Sequence, residues 1–150
     1  MKQIPFLAVG IFLLLIGTAE SGVEVPRLTP WTLDYPTLPG GGLNSAAWGS
    51  DRCVAVGRDG RILHSIDGTT WEAAQPLNLP EFTDWTAVAY GNGRFVVVGG
   101  NYTTGVIASS SDGISWQITF TSQSGMLRSV SYGDGGFAVV GDGAILSSPD

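Results

Sequence analysis

This chain is short of the groups that most enzymes work with. It has one cysteine and one histidine in 150 residues. A single cysteine, Cys53, excludes an intrachain disulfide. A single histidine, His64, excludes a histidine-rich metal site, and no second ligand stands at a useful spacing from it. The Asp-x-Asn-x-Asp-Gly pattern of a calcium loop is missing, as is a nucleophile-elbow sequence. No metal or cofactor is therefore expected. Charge is scarce as well, at 13% of residues against 43% hydrophobic, which excludes a disordered chain. Seven basic residues face thirteen acidic ones for a net charge of −6. With no basic stripe, a nucleic-acid partner is excluded. Beyond the N-terminal segment, no window of eleven or more residues keeps a helical period.

Glycine is abundant instead, at 22 residues, and it falls where turns would fall. Two phrases repeat. The first is Ser65-Ile66-Asp67-Gly68-Thr69-Thr70-Trp71, then Ser110-Ser111-Asp112-Gly113-Ile114-Ser115-Trp116, and it begins again at Ser148-Pro149-Asp150. The second is a glycine-aromatic phrase led by Trp48, Tyr90 and Tyr132, which are 42 residues apart. A period of this length marks a propeller or solenoid. Each unit breaks into runs of four to seven residues rich in Val, Ile and aromatics. The expected strands are 43–48, 52–56, 61–65 and 71–74, then 85–90, 94–98, 106–110 and 116–120, then 127–132, 136–140 and 144–148. Four short antiparallel strands per unit is the measure of a propeller blade. The fold class is therefore all-β, with blades at 43–84, 85–126 and 127–150, the last one cut short.

Residues 1–19 read as a secretory signal. Lys2 gives the positive start, Ile4 to Ile16 an apolar core, and Gly17-Thr18-Ala19 small residues for cleavage. Roughly 15 apolar residues span about 22 Å as a helix, short of a ~30 Å bilayer core. A secreted or periplasmic location is expected, with an uncleaved anchor as the alternative. Residues 20–42 have linker composition, with four prolines and Gly40-Gly41-Gly42. Trp31-Thr32-Leu33 resembles the segments led by Trp71 and Trp116 and suggests an edge strand.

The chemistry of the repeated phrase is that of a turn. Asp67 and Asp112 can accept backbone amides from just ahead, and Ser65 and Ser110 can do the same. Gly68 and Gly113 take backbone angles that a Cβ resists. Trp71 and Trp116 open the next strand. Cys53 occupies the slot of Phe95 and Phe137 and reads as a core residue.

Ser-x-Asp-Gly-x-x-Trp resembles the Asp-box, or BNR repeat, in a form one residue shorter than the usual Ser-x-Asp-x-Gly-x-Thr-Trp. The upstream phrase looks like the strand pair of secreted bacterial Asp-box propellers. The resemblance covers residues 43–150. It implies a structural role for Ser65, Asp67, Gly68, Trp71, Ser110, Asp112, Gly113, Trp116, Ser148 and Asp150. It also implies that these turns lie on the propeller face opposite the usual binding site. Such propellers occur in sialidases, other glycosidases, sorting receptors and photosystem II assembly factors, so the fold alone names no activity.

A sialidase needs an arginine cluster and a Phe/Tyr-Arg-Ile-Pro motif. Arg61-Ile62-Leu63 lacks its aromatic and proline, and Arg61 reads as an exposed strand residue. Carboxylates outside the boxes are Asp51, Asp59, Glu72, Glu81, Asp84, Asp134 and Asp142, and turn or surface duty suits them. No catalytic residue is expected. The face opposite the boxes would carry Arg58, Trp85, Asn101, Tyr102 and Arg128 as ligand contacts, since exposed loop aromatics suit sugar or peptide. The expectation is an exported, non-enzymatic module that binds or scaffolds a protein or carbohydrate partner. The alternatives are a sialidase-like glycoside hydrolase with catalytic residues in further blades, or a relative of photosystem II assembly factors. The third box breaks off at Asp150. That suggests a piece of a longer propeller, with self-assembly of short chains or a decayed gene product as rival readings.

Overall fold

A computed structural model describes residues 42–148. The signal segment, the linker before Gly42, the strand expected at 31–33 and Asp150 lie outside the described residues. Eleven strands follow in order: β1 Leu43–Trp48, β2 Cys53–Gly57, β3 Ile62–Ser65, β4 Glu72–Ala73, β5 Asp84–Gly91, β6 Arg94–Gly100, β7 Gly105–Ser110, β8 Gln117–Ser122, β9 Leu127–Gly133, β10 Gly136–Gly141 and β11 Ala144–Ser148. The described residues are all-β. They form antiparallel sheets ordered β1-β2-β3-β4, β5-β6-β7-β8 and β9-β10-β11. These are partial propeller-like blades and do not close into a barrel.

Turn chemistry sets the registers. Asn92-Gly93 and Asp134-Gly135 each join two strands with both residues at positive φ, as a two-residue hairpin of type I′ requires. Strand β6 of the middle sheet is buried on both faces, whereas β8 at its edge is exposed. Alternation along β6 sends Phe95 and Val97 toward Val54, Val56 and Ile62 of the first sheet. Val96 and Val98 pack with Leu127, Val130, Phe137 and Val139 of the third. Cys53 is buried at the start of β2, in the slot that Phe95 and Phe137 fill. Arg61, expected to be exposed, is half-buried just ahead of β3.

The sheets interlock through a repeated contact. Tyr90 pairs across strands with Phe95, and Tyr132 with Phe137, with ring centroids 4.7 and 4.9 Å apart. Each pair belongs to one sheet and sits against a glycine of the sheet before it. A Cβ on Gly49 would strike Phe95, and one on Gly91 would strike the Tyr132 ring. Gly133, the third of the series, has nothing within 4 Å of such a Cβ. The same is seen on the outer face of the third sheet. Val140 and Ile145 are exposed there, whereas their equivalents Val98 and Ile107 pack toward that sheet.

Candidate functional site

The two repeated turns close one end of the sheets with the same hydrogen bonds. Asp67 Oδ1 accepts the N–H groups of Thr69 and Thr70 at 2.8 and 2.7 Å and the Ser65 hydroxyl at 2.9 Å. Asp112 Oδ1 accepts those of Ile114 and Ser115 at 2.8 Å each and the Ser110 hydroxyl at 2.8 Å. The serine oxygens accept the Gly68 and Gly113 N–H groups at 2.8 Å. Trp71 and Trp116 donate their indole N–H back to the Gly68 and Gly113 carbonyls at 3.2 Å. Amides from Thr70 and Thr69 hold the Asp67 carboxyl well below the usual range. Burial pushes Asp112 up, but the Ser115 and Ile114 amides and the Ser110 hydroxyl outweigh it and bring it to about 2. In each carboxylate these three bonds all fall on Oδ1. Ser148 ends β11 at the position of Ser65 and Ser110.

The opposite end of the sheets is built differently. The first strand of each sheet carries an irregularity at the same place, with register shifts at 43/45, 85/87 and opposite 140/141. The extra residues are Asn44, Thr86 and Arg128, spaced 42 apart like the aromatics. A bulge re-aims its side chain, and here all three line one groove of about 740 Å³. Two of them also bridge to the next sheet. Asn44 Nδ2 donates to the Trp85 carbonyl at 2.7 Å, and the Thr86 hydroxyl to that of Leu127 at 2.7 Å. Arg128 instead forms a bidentate pair with Asp142, at 3.0 and 2.8 Å. The guanidinium holds the Asp142 carboxyl below its ordinary value.

Three loops wall the groove and are tied together. The Asp59 N–H donates to Asp84 Oδ1 at 2.9 Å. Asn101 Nδ2 donates to the Glu81 carbonyl at 3.0 Å, while Asn101 Oδ1 accepts the Thr103 and Thr104 N–H groups at 3.0 and 2.9 Å. The Thr83 hydroxyl closes the 80–83 turn on the Pro80 carbonyl at 2.7 Å. These bonds fix two aromatics in solvent, Phe82 at 86% exposure and Tyr102 at 98%. Phe82 has φ of 58°, a left-handed backbone that costs a bulky residue about 1–3 kcal/mol.

Arg58, Asn101, Tyr102 and Arg128 thus meet in one groove. Trp85 does not. It was expected among the ligand contacts, but it is 0% exposed and donates its indole N–H to the Gly60 carbonyl at 3.0 Å. Its large apolar surface belongs to the core between the first two sheets. Asn101 faces the groove, but its amide is spent on joining loops.

Sequence reasoning places the 79–85 loop on this face without singling out Phe82, and it does not name Asn44 or Thr86. The 42-residue spacing of Asn44, Thr86 and Arg128, each a side-chain donor one residue after a large apolar one, was the available signal. Nothing local marks Phe82, because its exposure follows from the backbone turn. Among the described residues, no group of three or more His, Cys, Asp or Glu is placed to hold a metal ion. No family model and no curated protein matches this chain.

Proposed function

We propose that this chain is an exported, non-enzymatic Asp-box propeller module that binds or scaffolds a protein or glycan ligand through the groove opposite its repeated turns. The export reading rests on the composition of residues 1–19, and the Asp-box reading on the two full Ser-x-Asp-Gly-x-x-Trp copies. The observation that carries the binding reading is the set of three cross-tied loops holding Phe82 and Tyr102 in water beside Arg58. Loops on a rigid scaffold are the usual place for recognition, and preorganisation lowers the entropy lost on binding.

A binding role suits the groove better than acid–base catalysis. A general acid needs a carboxyl that stays protonated near neutral pH, whereas Arg128 keeps Asp142 ionised. Asp84 is committed to the Asp59 N–H. The reading is tested by screening the full-length chain on immobilised glycans and peptides beside its Arg58→Ala and Tyr102→Ala variants. Retained ligands that both variants release support it. Ligands retained equally by all three proteins contradict it.

A further inference from the structure

The lining of the groove separates ligand classes. Arg58 and Arg128 face Asp59, Asp84 and Asp142, so there is no surplus of positive charge, and Arg128 is already engaged by Asp142. An anionic ligand would meet more carboxylates than cations. Five backbone donors of the groove are also already used. The N–H groups of Asp59, Asn101, Thr103, Thr104 and Asp142 all donate within the protein. An extended peptide draws its affinity from free main-chain donors and acceptors along a sheet edge, and these five donors are not free to pair with one. What remains on offer is the pair of exposed rings, Phe82 and Tyr102, set among polar side chains that can give or accept single hydrogen bonds.

That pairing matches a ring with apolar C–H faces and a hydroxyl rim. We infer that the groove binds a neutral oligosaccharide, with Phe82 and Tyr102 as the surfaces on which pyranose rings stack; this rests on the binding reading above. Phe82 is the sharper half of the argument. Its side chain is held out by a backbone conformation that suits glycine, and its ring is left 86% exposed. A ring kept in water on a strained turn has no packing role to offset the strain. Tyr102 presents a second rigid face at small entropic cost, with a hydroxyl at its tip. The Asn101 bond to the Glu81 carbonyl couples the two loops, so both platforms are set before a ligand arrives.

The positive φ of Phe82 supplies a clean test. Phe82→Gly removes the ring and relieves the backbone, so the variant should melt at the same temperature as the parent or higher. Titration calorimetry of the full-length chain would use hexasaccharides of β-1,4-glucose, α-1,4-glucose, β-1,4-xylose and β-1,4-mannose as neutral probes. Hexagalacturonate would be the acidic probe and a set of proline- and aromatic-containing heptapeptides the protein probe. The inference expects at least one neutral hexasaccharide to bind, with Phe82→Gly and Tyr102→Ala each weakening it about tenfold. Neutral binding that survives both substitutions overturns the stacking role. Binding of only hexagalacturonate or only peptides, lost in Arg58→Ala, overturns the ligand class while leaving the groove as a binding surface. A folded chain that binds none of these probes overturns the groove reading itself.

Discussion

The Thr86 hydroxyl donates to the carbonyl of Leu127, 2.7 Å away and 41 residues later in the chain. One side chain at a strand irregularity thereby ties the second sheet to the third, and Asn44 does the same between the first and second. Two of the three irregularities that shape the groove are thus also stitches between sheets. Thr86→Val keeps the shape and removes the donor. It should lower the unfolding free energy by about 1–2 kcal/mol, read from urea denaturation, because the Leu127 carbonyl loses its partner. An unchanged midpoint would show that the bridge carries no weight.

Glycine at the sheet interfaces makes an asymmetric prediction. A methyl group at Gly91 would overlap the Tyr132 ring, whereas Gly133 has nothing within 4 Å. Gly91→Ala should cost about 1–3 kcal/mol through overpacking. Gly133→Ala should change stability by less than about 0.5 kcal/mol, as surface substitutions usually do. Equal effects in thermal or urea melts would mean that the second and third sheets do not pack as described.

The two turn aspartates are not equivalent. The Asp112 turn packs onto the first sheet: a Cβ at Gly113 would lie 2.8 Å from Arg52 Cδ and 3.0 Å from Val54 Cγ2. The Ile114 carbonyl in that turn accepts the Gln75 N–H at 3.1 Å. Asp112→Ala should cost about 1–2 kcal/mol, in the range of a lost helix cap. Asp67→Ala should cost less, since its turn is more exposed. Equal losses in urea melts would remove the distinction.

Acid should unfold the protein along the same line. Asp112 falls from an ordinary 3.8 to about 2 in the folded chain. A carboxyl lowered by folding contributes stability that is full above its unfolded value and is lost as pH falls through the folded one. Stability should therefore be level above about pH 5 and drop between pH 4 and 2, with Asp67 and Asp142 acting in the same direction. Asp112→Asn should flatten that drop in denaturation measured across pH. A profile as steep as the parent's would shift the acid sensitivity to other groups.

Much of the fold was legible because it repeats. Strand positions followed from alternating Val and aromatic runs between Asn-Gly and Asp-Gly turns, and the observed strands differ from them at the ends. β4 is halved, at two residues rather than four, and β8 starts one residue later and runs two residues further than expected. The site was legible only in part. Arg58, Tyr102 and Arg128 could be placed on one face because loop positions follow from strand order. Trp85 misled, because a tryptophan beside a loop looks like a ligand contact until its neighbours in the next sheet are known. Asn44 and Thr86 were missed because a bulge depends on pairing between strands, which single-chain periodicity does not contain. Phe82 was not singled out within its loop because phenylalanine is usually buried, and its exposure arises from a turn tied by Thr83 and Asn101.

The most direct test of the central claim is a residue-by-residue NMR map of the full-length chain with the neutral hexasaccharide that binds it best. The groove account predicts that amide shifts concentrate at 58–60, 80–84, 101–104 and 126–128. The turns at 65–71 and 110–116 should stay unmoved. Shifts centred on the Asp67 and Asp112 turns, with the groove silent, would contradict it.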